Sequence, residues 1–369
     1  MRNIPLVNVK VQFAQIQEEA EKQVLEILRS GAYILGQHNK GFEAELAQYT
    51  GAKYAIPVKS GTDALYIALR AAGIQAGDEV ITTPFTFIAT AEAIWYLGAT
   101  PVFVDIDPET YNIDPKLIEK KITKKTKAIL PVHLYGHSVD VEAINAIAKK
   151  HNLLVIGDAC QSIGSEYKGT PIGGTFLAEC YSFYPTKNLG GCGEGGAVTT
   201  NDEKLYDTMK ILRAHGMREV YKHEMIGYNM RLDEIQCAIL RLKLQKLAGW
   251  TKRRQEIAAQ YTAAFKKIPG ITTPVTANYS NHIYHQYTLQ VNNRDKMLAY
   301  LKEQGVGSAV HYPIPLHLQQ CFAYRNEGVG SYPVAEAISK KIFSIPVFPE
   351  LTNDDVQYVI EKVTEGLKA

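Results

Sequence analysis

The sequence predicts an α/β protein followed by a smaller α+β region, and three observations carry that prediction. Short apolar runs followed by helical patterns recur from about residue 53 to about residue 200, in "DEVITT", "TPVFVD", "TKAILPV", "NLLVIGD" and "AECYSFY". The runs at Val80, Val102, Ile129 and Val155 are apolar throughout rather than alternating, as expected of strands with helices on both sheet faces. From about Met230 the pattern becomes one long helix through "RLDEIQCAILRLKLQKLAGWTKRRQEIAAQYTAAF", and a break near "KKIPGITTP" leads into mixed, shorter elements.

Each element has a local reason. Val24, Ile27 and Leu28 share one helix face ahead of "RSG", where Gly31 can adopt the left-handed conformation that stops a helix. Leu65, Ala68, Leu69 and Ala72 form a second stripe behind "KSGT". The tail holds a strand pattern, "YHQYTLQV", a helix pattern, "RDKMLAYLKEQG", and a closing helix opened by the capping box of Thr352 and Asp355. The expected division is residues 1–250 as the larger domain and 251–369 as the smaller, bridged by the long helix, with the N-terminal segment free to pack on the smaller one.

Composition excludes several classes. With 46% hydrophobic and 21% charged residues and a formal net charge of +2, the 369-residue chain is globular, and it carries no basic tract that calls for nucleic acid. The densest basic run, "TKRRQE" at Thr251 to Glu256, reads as a solvated helix face. Five cysteines, Cys160, Cys180, Cys192, Cys237 and Cys321, are odd in number and lack C-x-x-C spacing, which argues against a disulfide framework and a zinc cluster. No stretch reads as a signal peptide or a membrane span, so a reducing cytoplasmic setting is expected.

The chemistry gathers in three places. Gly191, Gly193 and Gly196 satisfy G-x-G-x-x-G, but they lead into "AVTTN", a strand, whereas a dinucleotide turn must open a helix. A phosphate cradle is better offered by Ser60, Gly61 and Thr62, just ahead of a helical stripe, although the same residues make an ordinary helix cap. Asp158 ends the buried run "NLLVIGD", where an unpartnered carboxylate is costly. It is either a turn cap or the partner of a cationic ring nitrogen, with Gln161 placed to donate to a neighbouring oxygen. Lys187, in "CYSFYPTKNLGG", follows a strand inside a turn with Pro185, and an enclosed lysine loses ammonium hydration and becomes a nucleophilic amine.

An anion cradle, a strand-end Asp with Gln, and a loop Lys preceded by Ser182 together describe a pyridoxal 5'-phosphate (PLP) site. On these motifs, and from "YILG" through "VHYPIPLHLQ", the chain resembles the DegT/DnrJ/EryC1/StrS sugar aminotransferases. The resemblance implies the aspartate-aminotransferase-like fold: a large domain with a mixed, mostly parallel seven-stranded sheet between helices, a smaller α+β C-terminal domain, and active sites shared across a homodimer. It makes Lys187 the lysine that condenses with PLP, Asp158 the partner of the pyridine nitrogen and Gln161 the neighbour of the phenolic oxygen. Gly61, Thr62 and Ser182 would hold the phosphate, together with Asn229 from the neighbouring subunit. Phe87, or failing that Phe85, would cover the ring.

Arg231, His311 and Tyr312 match substrate contacts, against the plainer readings that Arg231 pairs with Asp233 or Glu234 and that "VHYP" merely ends a strand. The implied reaction moves an amino group from L-glutamate, through the pyridoxamine form (PMP), to a keto group of a nucleotide-linked sugar, in amino-sugar and polysaccharide biosynthesis such as that of O-antigen. "HYPIPLHLQ" resembles relatives that aminate a 3-keto sugar; a 4-keto-sugar aminotransferase is the alternative, and a catalytically silent PLP-binding regulator is a more remote one. Ile163 stands where many members carry histidine, which touches substrate subclass rather than cofactor. Lys187 itself argues against the relatives that use histidine there and dehydrate sugars.

Overall fold

A computed structural model describes residues 2–368. Seven strands build the principal sheet: β1 (Tyr54–Val58), β2 (Glu79–Thr82), β3 (Thr100–Phe103), β4 (Thr126–Ile129), β5 (Leu154–Asp158), β6 (Ala178–Ser182) and β7 (Gly196–Thr200). Their spatial order is β1-β7-β6-β5-β4-β2-β3. β7 is antiparallel to both neighbours and every other pairing is parallel, so the sheet is mixed and mostly parallel, as expected. In consequence the carboxyl ends of β1, β5 and β6 lie along one edge, the position at which open α/β sheets carry their sites.

One buried cluster fills each sheet face. Phe42, Leu46, Ile81, Ile129, Val155 and Leu240 belong to the first, and Leu65, Leu69, Val80, Ile94, Ile156 and Val198 to the second. Adjacent residues of β2 and β5 thus point into opposite clusters, which is why these runs carry no polar alternation. The helix Gly61–Ala71 buries the expected stripe Leu65, Ala68 and Leu69, each side chain of leucine size contributing about 1.5–3 kcal/mol. Ser60 caps it by accepting from the Asp63 amide.

The long helix spans Glu234–Phe265 without interruption, capped by Asp233 accepting from the Gln236 amide. Its first half packs with the main sheet's helices, while Ile257, Tyr261 and Phe265 join a separate core with Tyr287, Leu289, Phe343, Val356 and Val359. Ile4 belongs to that second core and bridges Val306, so the N-terminal segment packs beside the C-terminal elements. Residues 316–342 instead turn back onto the large sheet, where Leu316, Phe322 and Tyr332 bury against Phe85, Phe103 and Tyr135.

Two readings are corrected. "TKRRQE" is not a uniformly solvated face: Arg254 is buried and donates to the carbonyls of Tyr284 and Val347. Burial lowers its guanidinium to about 10. Periodicity shows which face a residue occupies but not which distant carbonyls it will meet. Leu28, placed on the inner face of its helix with Ile27, is exposed, whereas Gly31 does take the left-handed stop at φ 70°.

Candidate active site

A cavity of about 560 Å³ opens at the carboxyl edge of the sheet, and Gly61, Asp158, Gln161, Ser182 and Lys187 all line it. Strand pairing explains how distant residues meet. Val58 of β1 and Ser182 of β6 both stand opposite Gly196 of β7, so the turn after β1 is drawn against the end of β6. A Cβ on Gly196 would lie 2.3 Å from the Ser60 carbonyl, and one on Gly61 would lie 2.6 Å from the Ser182 Cβ and 3.1 Å from the Cys160 sulfur. These glycines permit a close approach of backbones, and the last glycine of G-x-G-x-x-G opens a strand rather than a helix. The dinucleotide alternative has no structural basis here.

Asp158 is buried at the end of β5, between the Thr90 hydroxyl, which donates to Oδ2 at 2.7 Å, and the Cys160 amide, which donates to Oδ1 at 3.1 Å. Thus the carboxylate is oriented at both oxygens while it also faces the cavity. Gln161 is clamped in the same way: its Oε1 accepts from the Tyr135 amide at 2.9 Å and its Nε2 donates to the Tyr312 hydroxyl at 2.9 Å. Tyr312 is pushed above the ordinary phenol range, chiefly by burial, and so remains a neutral hydroxyl.

Lys187 follows β6 in a turn closed by its own amide on the Tyr184 carbonyl at 2.8 Å. Burial lowers its ammonium below the ordinary lysine value, and the nearby Cys160 and Asp158 work in the opposite direction. Burial likewise lowers His311 to about 4, helped by the Lys187 charge, while its Nδ1 lies 2.8 Å from the Ser344 hydroxyl. Phe87 lines the cavity, 56% exposed and 6.3 Å from the Tyr312 ring. Phe85 is fully buried in the core against residues 316–342, so of the two phenylalanines only Phe87 lines the cavity.

Two expected residues lie elsewhere in this protomer. Asn229 is exposed and Arg231 half-buried, and neither lines the cavity. The plain pairing for Arg231 does not form, because Asp233 caps the long helix and Glu234 accepts from the amides of Gly36, His38 and Asn39. Sequence reasoning missed Thr90 and His285. Thr90 sits inside the quoted "PFTFIAT", one helical turn from Phe87, but a threonine there carries no signal until its carboxylate partner is known. His285 arrives from a remote segment, and only the fold places it.

The residues present fit PLP. A backbone cradle at the start of a helix of eleven residues, kept open by a glycine where any Cβ would collide with Ser182, suits a phosphate. Beyond it an anchored carboxylate and a lysine amine with lowered basicity face one enclosed space. Among the described residues there is no cluster of His, Cys, Asp and Glu that could hold a metal ion, and no helix is long and apolar enough to cross a membrane.

Comparison with known proteins agrees. The sequence model of the DegT/DnrJ/EryC1/StrS aminotransferase family matches residues 14–364. The chain is 41% identical to the dTDP-3-amino-3,4,6-trideoxy-alpha-D-glucose transaminase of Streptomyces venezuelae over 98% of this chain and 96% of that one. It is 48% identical to a Geobacillus stearothermophilus protein named as a pleiotropic regulatory protein, over 98% of each. The crystal structure of S. venezuelae DesV in complex with a ketimine intermediate superposes with a TM-score of 0.98, at 40% identity and full coverage of both chains.

Proposed function

The chain belongs to the DegT/DnrJ/EryC1/StrS aminotransferase family, and from that premise we propose that it aminates C3 of a nucleotide-linked keto sugar with an amino group taken from L-glutamate. It is a PLP-dependent nucleotide-sugar aminotransferase of the expected fold. Support for C3 comes from the Streptomyces relative, which is named for a 3-amino sugar. The observation that carries the site assignment is that Lys187 and Asp158 line one cavity at the carboxyl edge of the sheet.

Bound PLP supplies an electron sink for the carbanion left when a Cα proton departs, and it carries the amino group between the two substrates. Lys187 Nζ would hold the cofactor, and its amine would move the Cα proton as base and then as acid. Its lowered basicity favours the free amine that attachment of the cofactor and abstraction of the proton require. The Asp158 carboxylate, kept in place by Thr90 and the Cys160 amide, stabilises a proton on the pyridine nitrogen by facing charge. Gln161 and Phe87 would hold the cofactor ring, the first as a neighbour of its phenolic oxygen and the second as the aromatic beside it. Gly61 and Thr62 offer backbone N–H groups, and Ser182 its hydroxyl, to the phosphate. His311 and Tyr312 contact the sugar from the far wall.

A phosphate accepts more hydrogen bonds than these groups donate, and the nearest flanking cation, Lys59, is exposed and pairs with Asp63 at 4.0 Å. We therefore assign Asn229, exposed on its own protomer, to a second copy's site, with Arg231 on the sugar beside it. A homodimer in the reducing cytoplasm fits this arrangement, with five cysteines unpaired. Mixing Lys187→Ala chains with Asn229→Ala chains tests it: subunit exchange regenerates one intact site per heterodimer and restores activity. No recovery despite proven exchange places Asn229 in its own subunit's site.

Borohydride reduction followed by peptide mapping tests the cofactor lysine, and label on any residue other than Lys187 overturns the assignment. NMR of the product from nucleotide 3-keto and 4-keto sugars separates C3 from C4 amination. The regulatory name of the Geobacillus relative favours a second reading, a PLP-binding regulator. Absence of amino transfer from glutamate to any nucleotide keto sugar, in a protein that still loads PLP, would support it.

A further inference from the structure

We infer that Lys243, on the long helix, is a positioning residue for Lys187: its side-chain nitrogen holds the Gly190 carbonyl and so fixes the loop that places Lys187 in the cavity wall; this rests on the assignment of Lys187 above. Lys243 Nζ donates to that carbonyl at 2.6 Å, and among the described residues the oxygen receives no other hydrogen bond. Gly190 stands three residues after Lys187 and is itself buried. A charge-assisted bond of this kind is stronger than a neutral one.

The loop is closed on itself, so a hold at Gly190 reaches Lys187. Lys187 N donates to the Tyr184 carbonyl and Gly191 N to the Phe183 carbonyl, each at 2.8 Å. A Cβ on Gly190 would lie 2.4 Å from the Pro185 carbonyl oxygen, so the chain folds back this tightly only through glycine. Leu189 is buried in the same core cluster as Leu240 and Leu244, which neighbour Lys243 on its helix. Two turns earlier on the same helix face, Gln236 takes a second hold: its Oε1 accepts from the Cys192 amide at 2.8 Å. The long helix thus fixes the far half of the lysine loop at two points.

Packing alone does not call for a lysine here. Lys243 is 2% exposed, more buried than any other lysine among the described residues, and it forms no ion pair among them. Burial lowers its ammonium below the ordinary lysine value, with Cys192 and then Glu350 working in the opposite direction. A leucine or methionine would fill the same space without that desolvation cost. What neither can supply is an N–H for the Gly190 carbonyl. The placement of the loop is worth that donor, because a shift of about 1 Å in a reacting group costs about 10²-fold in rate.

Lys243→Met keeps the apolar stem and removes the donor. Hydrogen exchange of the full apo-chain, read by mass spectrometry, reports on the loop without any cofactor: peptides over residues 184–192 should exchange about 10-fold faster than in the wild type, and the sheet strands at the wild-type rate. The second measurement is covalent capture of PLP on Lys187 by the apo-enzyme, followed by visible absorbance over a range of PLP concentrations. Its limiting rate should fall about 10- to 10²-fold with the half-saturating concentration unchanged, and Lys243→Arg, which keeps N–H donors, should recover part of the loss. Wild-type exchange over 184–192, exchange accelerated throughout the chain, a wild-type limiting rate, or capture no faster in Lys243→Arg than in Lys243→Met overturns the proposal. Should the methionine chain fail to fold, Lys243→Gln, whose side chain is too short to reach the carbonyl, is judged by the same criteria. A wild-type chain whose peptide map shows no PLP on Lys187 overturns the lysine assignment instead, while the exchange result still decides whether Lys243 holds the loop.

Discussion

The two walls of the cavity are built in different ways. Asp158 and Ser182 end neighbouring parallel strands, Gly61 and Lys187 follow within a few residues of strand ends, and each is placed by the sheet itself. The opposite wall, His285, His311 and Tyr312, belongs to remote segments held by scattered contacts: Asn188 on His285, Ser344 on His311, Gln161 on Tyr312. The sheet edge offers rigid positions for charge, while the far wall supplies groups that burial keeps neutral. The comparison suggests that the strand ends carry the reaction and the far wall tunes it.

The sharpest way to break this comparison is at the sheet edge. Lys187→Ala is expected to lower turnover by about 10⁴-fold or more, since it removes nucleophile and acid-base catalyst together. PLP should still bind noncovalently, and equilibrium dialysis checks that point. Asp158→Asn keeps the shape and the Thr90 contact but not the charge, and should slow steady-state amination about 10²–10³-fold with the cofactor retained. A near-normal rate would reduce Asp158 to a turn cap. Gly61→Val places branched carbon where a single Cβ already lies 2.6 Å from Ser182, so PLP affinity should fall about 10-fold or more in a fluorescence titration while the fold persists.

The far wall should respond to pH rather than to charge removal. On that wall burial lowers His311 from the ordinary 6.5 to about 4 and holds His285 well below 6.5; outside the cavity lining, burial also lowers His137 to about 4 and His282 well below 6.5. Between those values the unfolded chain binds protons that the native chain does not. Stability therefore falls as pH drops from 6.5 toward 4, by about 1.4 kcal/mol per pH unit for each such imidazole. Calorimetry across that range should show the loss, and His311→Asn should reduce its slope. The smallest effect is expected for Tyr312→Phe, which removes the partner of Gln161 Nε2. A cost of about 1 kcal/mol, or about 5-fold in kcat/KM, would match one neutral hydrogen bond. A loss approaching that of Asp158→Asn would place catalysis on both walls.

Much of this molecule was legible before folding, because its signals are local. Apolar runs without alternation specify doubly covered strands, Ser60 and Thr352 cap the helices they precede, and a carboxylate or lysine at a strand end already stands at the functional edge. Those features need only a residue and its near neighbours. What the tertiary structure decided is long range: that Gly196 draws the turn after β1 against Ser182, that Arg254 is buried rather than solvated, that Thr90 orients Asp158, and that a turn at Gly136 seats His285 beside the lysine loop. Each depends on strand order or on a backbone carbonyl far away in the chain. No periodicity encodes such a contact, because its partner is chosen by how the layers pack.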